Sequence, residues 1–412
     1  MTYSRRWILA GGATALLAGC GGGVTAPAPR APVVDPGLRP QRNPGYDAWV
    51  AAFRNRAQAR GITVQTLNAA FRGTGFLPGV VERDRNQTEF TRTLEDYLAI
   101  TASEAKVSLG RAAFARHRAL LAQVEDRYGV PAEIVAAVWG LESQFGTRMG
   151  DIPVVSATST LAYDGRRGAF FERQLMAALR ILQNGDIPAN RMTGSWAGAM
   201  GHTQFIPTTF EAYAVDFRGD GHRDIWSADP TDALASVGNY LSKSGWRRGQ
   251  GWGLEVRLAS ADLPTGRGTT RSVADWAAAG VRPARGGALP DHGPASVLLP
   301  SGADGPAFLV FRNFSTILRY NNSEKYALGV GHLSDRLSGA PGLAAGFPPD
   351  VHGLTIDDRK ALQRGLNAAG FDAGDPDGVF GKKTEAAIRA FQRAKGLPVT
   401  GTPSRALLAL VA

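Results

Sequence analysis

The chain has 412 residues, enough for two or three domains, with 44% hydrophobic residues and a formal net charge of +10. A basic surface suits an anionic polymer or a membrane, whereas nucleic acid is disfavoured because no Lys/Arg run carries interleaved aromatics. Cys20 is the single cysteine, which excludes an internal disulfide and leaves the fold to its core.

Residues 1–19 read as an export signal. Arg5 and Arg6 precede an apolar, small-residue stretch to Ala18, too short to span a bilayer as a mature helix. The stretch ends in Leu17-Ala18-Gly19-Cys20, which resembles the lipobox of bacterial lipoproteins and implies lipidation of Cys20. Gly21 is not the acidic residue associated with inner-membrane retention, so an outer-membrane lipoprotein facing the periplasm is expected. The arginine pair resembles a twin-arginine signal, and a general export signal would look the same. Residues 20–43, rich in Gly, Pro and Ala, read as a flexible tether.

From 44 onward the pattern is helical. Amphipathic segments start at Trp49 and run over 64–71, and a longer one carries Leu94, Tyr97 and Leu98. One helix is expected over 112–128, then others over 170–184, 208–214 and 232–244. Between 251 and 311 the pattern changes to short β-type runs among glycines and prolines, at 255–258, 296–299 and 308–311. Helix returns over 326–337. The Gly/Ala/Pro-rich stretch 339–352 is the best linker, and 353–412 reads as a separate three-helix module, near the lower size limit for independent folding.

The chain is organised around 130–146. Pro131 suits a first helical turn and Gly146 a left-handed stop, with Ile134, Val135, Val138 and Leu141 forming an apolar stripe. Glu142 emerges on that stripe in the last turn. Burial and the helix dipole there both favour the protonated carboxyl that a general acid needs, although a partly exposed Glu along the core edge fits the helix equally well.

Two further stretches carry isolated polar groups. Ser195 to Pro207 is dense in small residues around Ser195 and Gln204, fitting either close backbone approach to a ligand or a tight crossing with capping side chains. Arg319-Tyr320-Asn321-Asn322-Ser323, followed by Tyr326, offers rings and amides suited to sugars, or ordinary caps.

Taken in order and spacing, Val138-Trp139-Gly140-Leu141-Glu142-Ser143-Gln144-Phe145-Gly146, the 195–207 stretch and 319–323 resemble the family B membrane-bound lytic murein transglycosylases. Asp84-Arg85-Asn86-Gln87-Thr88-Glu89-Phe90 and Gly238-Asn239-Tyr240 also look like that family, and the match covers about 44–338. Leu362-Gln363, Asp377-Gly378, Phe380-Gly381, Phe391-Gln392 and Gly396-Leu397 are similar to the three-helix peptidoglycan-binding module that often accompanies such enzymes.

The resemblance implies a mainly α, lysozyme-like (α+β) catalytic domain over 44–338, with a small β-containing insertion at about 251–311 and a separate C-terminal three-helix module. It implies a lyase that breaks the β-1,4 bond between N-acetylmuramic acid and N-acetylglucosamine without water, leaving 1,6-anhydro ends, with no cofactor. Glu142 matches the single catalytic acid, which then serves as base. Ser195, Gln204, Tyr240, Tyr320, Asn321 and Tyr326 match positions that line the saccharide groove. The partners implied are peptidoglycan glycan strands and the outer membrane through Cys20.

The stretch 216–224 resembles the EF-hand-like calcium loop of some family members but departs from it. Asp216 and Asp220 suit oxygen-donor places and Asp232 could add a late carboxylate, yet Arg218 puts a positive charge at the third position. Arg218 paired with the aspartates would hold the same loop without a metal, and no metal site is assigned. Two other functions stay open: a muramidase on the same scaffold, which would need a second carboxylate absent from 195–207 and 319–323, and a non-catalytic wall-binding lipoprotein.

Overall fold

The computed structural model describes residues 35–86, 92–260 and 262–411. Cys20, the export signal, residues 20–34 and the 87–90 part of the Asp84 motif lie outside the described residues. The described chain divides into two compact units, one of 35–86 and 115–243, the other of 92–114 and 244–411.

The first unit is helical apart from one short antiparallel ribbon, β1 (Ile152–Pro153) against β2 (Thr193–Gly194). Its described N-terminal residues are not a loose tether. Gln41 pairs through its backbone with Phe76 at 2.8 Å, and Asp35 meets Arg83 at 2.6 Å. The Pro44–Ala59 helix then starts on an Asn43 cap, which accepts the Tyr46 amide at 3.1 Å, with Pro44 in the first turn.

The helices Val154–Asp164 and Gly168–Gln183 pack together as a hairpin turned at Gly165, whose φ of 83° needs glycine. Asp84, buried beneath that hairpin, accepts from Arg166 at 2.6 Å and also from Arg167, while Arg85 pairs with Asp164 at 2.6 Å. The described part of the Asp84 motif is therefore a structural brace.

At the centre lies the Ala132–Ser143 helix, packed on Arg118–Tyr128 and Thr231–Lys243. An apolar stripe was expected; instead every residue from Ile134 to Ser143 is buried, the signature of a helix enclosed on all sides. Gly238 lets its helix approach closely, since a Cβ there would lie 2.8 Å from Val124 and 2.9 Å from Tyr128. The single helix expected over 112–128 is two, Glu104–Arg116 and Arg118–Tyr128, broken at His117.

The second unit holds a four-stranded antiparallel sheet built of β3 (Gly253–Arg257), β4 (Arg282–Pro283), β5 (Ser296–Leu298) and β6 (Ala307–Val310), in the order β4-β3-β6-β5. Gly253 pairs with Val310 and Val256 with Ala307, and one face buries Val256, Val297 and Leu309 around Trp276. The helices Arg312–Tyr320 and Glu324–Leu337 follow directly.

The C-terminal helices Ile356–Ala368, Lys382–Ala394 and Arg405–Val411 enclose Leu362, Leu366, Ile388, Phe391 and Leu407. Two glutamines tie its loops: Gln363 accepts the Gly378 amide at 2.8 Å and Gln392 the Gly401 amide at 2.9 Å. The 339–352 stretch is itself bonded to the sheet. Glu255 accepts the Ala344 and Ala345 amides at 2.7 Å each, and Arg285 donates to the Gly342 carbonyl at 2.5 Å.

Candidate active site

Glu142 is the penultimate residue of the buried Ala132–Ser143 helix and is 9% exposed. The helix does not close where the sequence suggests. Pro131 is its N-cap rather than its first-turn residue, and Gln144 takes the left-handed C-cap at φ 50°. Phe145 at φ 54° and Gly146 at φ 85° continue that conformation. Two consecutive non-glycine residues in the left-handed region hold strain that the surroundings must maintain. The reward is a chain reversal that lays the Phe145 ring on Gly140, where a Cβ would come within 2.5 Å, and edge-on to Trp139 at 5.6 Å.

The reversal brings Glu142's helix end onto the 195–207 segment. Ser143 Oγ donates to the His202 carbonyl at 2.9 Å and accepts the Gly146 amide at 3.2 Å. Trp139 Nε1 donates to His202 Nδ1 at 3.0 Å, so His202 is the Nε2–H tautomer and donates to the Ser227 carbonyl at 2.7 Å. Burial, ahead of the opposing pull of that carbonyl, pushes the His202 pKa down and keeps the ring neutral. Gly146 must be glycine here, because a Cβ would collide with the His202 ring.

Of the expected groove residues, Gln204 is buried, sits at φ 48° and donates through Nε2 to the Met149 and Gly201 carbonyls at 2.9 and 2.8 Å. Met149 lies on the loop that follows the Glu142 helix, so Gln204 ties the 195–207 segment to that loop. Ser195 caps its own turn: its Oγ accepts the Ala199 amide at 3.1 Å. Tyr240 is buried, with its ring 5.8 Å from Phe205 and 4.6 Å from Tyr213. In the second unit, Tyr320 and Tyr326 stack at 6.3 Å and 12°, and Asn321 ends the Arg312–Tyr320 helix. Ser323 caps the next helix by accepting the Tyr326 amide.

The clamp residues Ser143 and His202 were not singled out in the sequence. Both lie within the 138–146 and 195–207 stretches, yet only the fold joins them across 59 positions.

The 216–224 loop is closed by its own groups. Asp216 accepts the Gly219, Asp220 and Gly221 amides at 2.6, 3.2 and 2.8 Å, and the buried Asp232 accepts those of Phe217, Arg218 and Asp224. Arg218 reaches Asp229 at 3.5 Å and Asp232 at 3.7 Å. A guanidinium thus lies where the EF-hand pattern wants an oxygen donor, and this donor set does not fit calcium. Among the described residues no cluster of three or more His, Cys, Asp or Glu could hold a metal.

Residues 45–335 match the transglycosylase SLT domain family, and 355–411 match the putative peptidoglycan-binding domain family. The chain is 37% identical over 213 residues to membrane-bound lytic murein transglycosylase B of Escherichia coli K12, which is 51% of this chain and 58% of that relative. The chain thus spans little more than half the length of this curated relative. It is 48% identical to SltB3 from Pseudomonas aeruginosa, crystallised with NAG-anhNAM-pentapeptide. That match covers 90% of this chain and all of SltB3, at a TM-score of 0.72. Slt35 of Escherichia coli, in a structure with calcium, is 31% identical over 72% of this chain and 93% of its own, at a TM-score of 0.61. The mainly α, lysozyme-like architecture of the catalytic part is shared with these neighbours, and in this chain a separate helical module follows it. The chain belongs to the transglycosylase SLT family of lytic murein transglycosylases and carries a C-terminal peptidoglycan-binding module.

Proposed function

We propose that the protein cleaves the β-1,4 bond between N-acetylmuramic acid and N-acetylglucosamine in peptidoglycan, with Glu142 as the sole acid and base. The Glu142 carboxyl gives its proton to the glycosidic oxygen as the C1–O bond breaks. The resulting carboxylate then takes the proton of the muramoyl O6 hydroxyl, and O6 bonds to C1 to close the 1,6-anhydro ring. The acid is regenerated and no water is consumed. Ordinary glycosidases use two carboxylates; here the substrate supplies its own nucleophile, so one suffices.

The observation that carries this reading is Glu142 at the end of an enclosed helix whose terminus is clamped to the 195–207 segment. The anhydromuramoyl ligand of SltB3 fits a product of this kind. Gln204, Ser195, Tyr240, Tyr320, Asn321 and Tyr326 are proposed to line the saccharide sites, and the 353–412 module to hold the enzyme on the wall. Cys20 is proposed as the lipid anchor to the outer membrane; among the described residues no helix is long and apolar enough to cross a membrane.

Glu142→Gln preserves shape but neither donates nor accepts the transferred proton. Turnover of purified sacculi should fall by at least ~10² with folding and glycan binding retained. Mass spectrometry of wild-type products should show 1,6-anhydromuramic ends. Reducing muramic ends as the main product would assign a hydrolase instead.

A further inference from the structure

Among the described residues three that are not glycine take a positive φ, and all three stand at the candidate active site. They are Gln144 at 50°, Phe145 at 54° and Gln204 at 48°. The left-handed region suits glycine and is unfavourable for a residue with a Cβ, so each of the three needs a compensating reason.

For two of them the reason lies inside the protein. Phe145 buries its ring against Gly140 and Trp139. Gln204, also buried, places its Nε2 on the Met149 and Gly201 carbonyls.

Gln144 has no such reason. Its backbone makes the turn, donating its amide to the Gly140 carbonyl at 3.1 Å and accepting the Thr147 amide at 3.3 Å and the Thr147 hydroxyl at 2.9 Å. Its side chain is half-buried, and the carboxamide makes no hydrogen bond among the described residues. Glycine would make the same turn with less strain. The turn therefore accounts for the conformation of residue 144 but not for its side chain.

The place of that side chain is set by its neighbours. Gln144 follows Glu142 by two residues, at most about 7 Å of backbone. Ser143 between them is fixed to the His202 carbonyl at 2.9 Å, which holds the start of the turn. A carboxamide presents a donor and an acceptor side by side. An N-acetyl group presents the complementary N–H and C=O, so the two can exchange a pair of hydrogen bonds. A hydroxyl would engage one side at a time, and a carboxylate would meet only the donor.

We propose that Gln144 recognises the N-acetyl group of the sugar seated against Glu142 and is a specificity-determining residue of the cleavage site. This rests on the reading of peptidoglycan as substrate. The strained helix end holds the carboxamide beside the reacting sugar, and stability is given up for discrimination between N-acetylated and plain glycans.

Two substitutions separate the backbone from the side chain. Gln144→Gly relieves the strain and removes the carboxamide, whereas Gln144→Met keeps the strain and the length and removes only the carboxamide. Each whole protein is titrated by calorimetry with triacetylchitotriose and with cellotriose, which lacks N-acetyl groups. Wild type should prefer the former, and both variants should lose roughly three- to tenfold of that preference. On soluble stem-free glycan strands the loss should appear in KM rather than kcat. Gln144→Gly should also melt above wild type, and Gln144→Met at the wild-type temperature. No preference in wild type, an undiminished preference in both variants, an equal loss for both oligosaccharides, or a Gln144→Gly protein less stable than wild type would overturn the proposal. Oligosaccharide binding is read without turnover, so failure here leaves the cleavage reading standing, and absence of 1,6-anhydro products strikes that reading by itself.

Discussion

Two regions of the molecule are fastened through buried side chains, and they do so with opposite chemistry. Near Glu142 the fastenings made by Trp139, Ser143 and His202 are neutral: Trp139 to His202, Ser143 to the His202 carbonyl, His202 to Ser227. At the root of the C-terminal module the fastening is ionic. Arg359, 4% exposed, meets Asp96 at 2.6 Å, pairs with Glu95 as well, and has Asp350 at 3.9 Å. Burial raises the Glu95 pKa against the pull of Arg359. A neutral clamp holds its geometry at any salt concentration and adds no charge beside a carboxyl that must pass a proton in both directions. A buried ion pair is secure only while all its members are present.

The largest effect expected from this contrast is at Arg359. Arg359→Met strands Glu95 and Asp96 in a buried site and should cost about 3–5 kcal/mol. It should also open the 339–352 stretch to protease while sacculus binding by the released helices persists. Adding Glu95→Leu should recover most of the loss, because a buried pair replaced by apolar groups is close to neutral. Chemical denaturation and a protease time course measure both, and a loss under 1 kcal/mol for Arg359→Met would mean that the ionic root does not hold the module.

The neutral clamp should respond less in stability and more in rate. Ser143→Ala removes one donor to His202 and the acceptor of the Gly146 amide, at a cost of about 1–3 kcal/mol that does not change with salt. Since the affected group adjoins Glu142, kcat should fall with KM unchanged, and His202→Phe should give the same pattern. A rise in KM with kcat preserved would place the clamp's role in substrate binding instead.

Much of this contrast was invisible in the chain before folding. The Glu142 helix is legible from its apolar positions, though its enclosure on all sides is not, Glu142 stands out by its motif, and the three C-terminal helices by their periodicity. Other elements gave poor local signals. Val154–Asp164 is rich in Val, Ser and Thr, weak helix formers that packing overrides. Strand β4 is two residues long and contains a proline, and the Arg312–Tyr320 helix follows β6 after a single residue, Phe311. Gly146 was the obvious helix stop, yet Gln144 makes the turn, because Phe145 must fold back onto Gly140. The bonds from Glu255 to Ala344 and Ala345 span 89 and 90 positions, which no local pattern reports.

The smallest expected effect concerns two groups one helical turn apart, which neither the clamp nor the root uses. Burial pushes His332 down to about 4 from 6.5, and raises Asp335 to about 7 from 3.8 against the opposing hydrogen bond from Trp252 Nε1 at 3.2 Å. For His332 the unfolded chain binds the proton more readily, so its contribution is present above pH 6.5 and is lost as pH falls towards 4. For Asp335 the folded state binds the proton more readily, so its contribution is complete below 3.8 and is lost as pH rises through 7. The two slopes oppose between pH 4 and 6.5 and leave wild-type stability nearly flat there. Asp335→Asn keeps an acceptor for the indole and deletes one slope. Relative to wild type it should be unchanged near pH 4 and more stable at pH 8, by about 1–2 kcal/mol after discounting for partial exposure. Denaturation midpoints of both proteins across pH 4–8 measure this, and a difference that stays constant with pH would show that the Asp335 carboxyl does not titrate in that range.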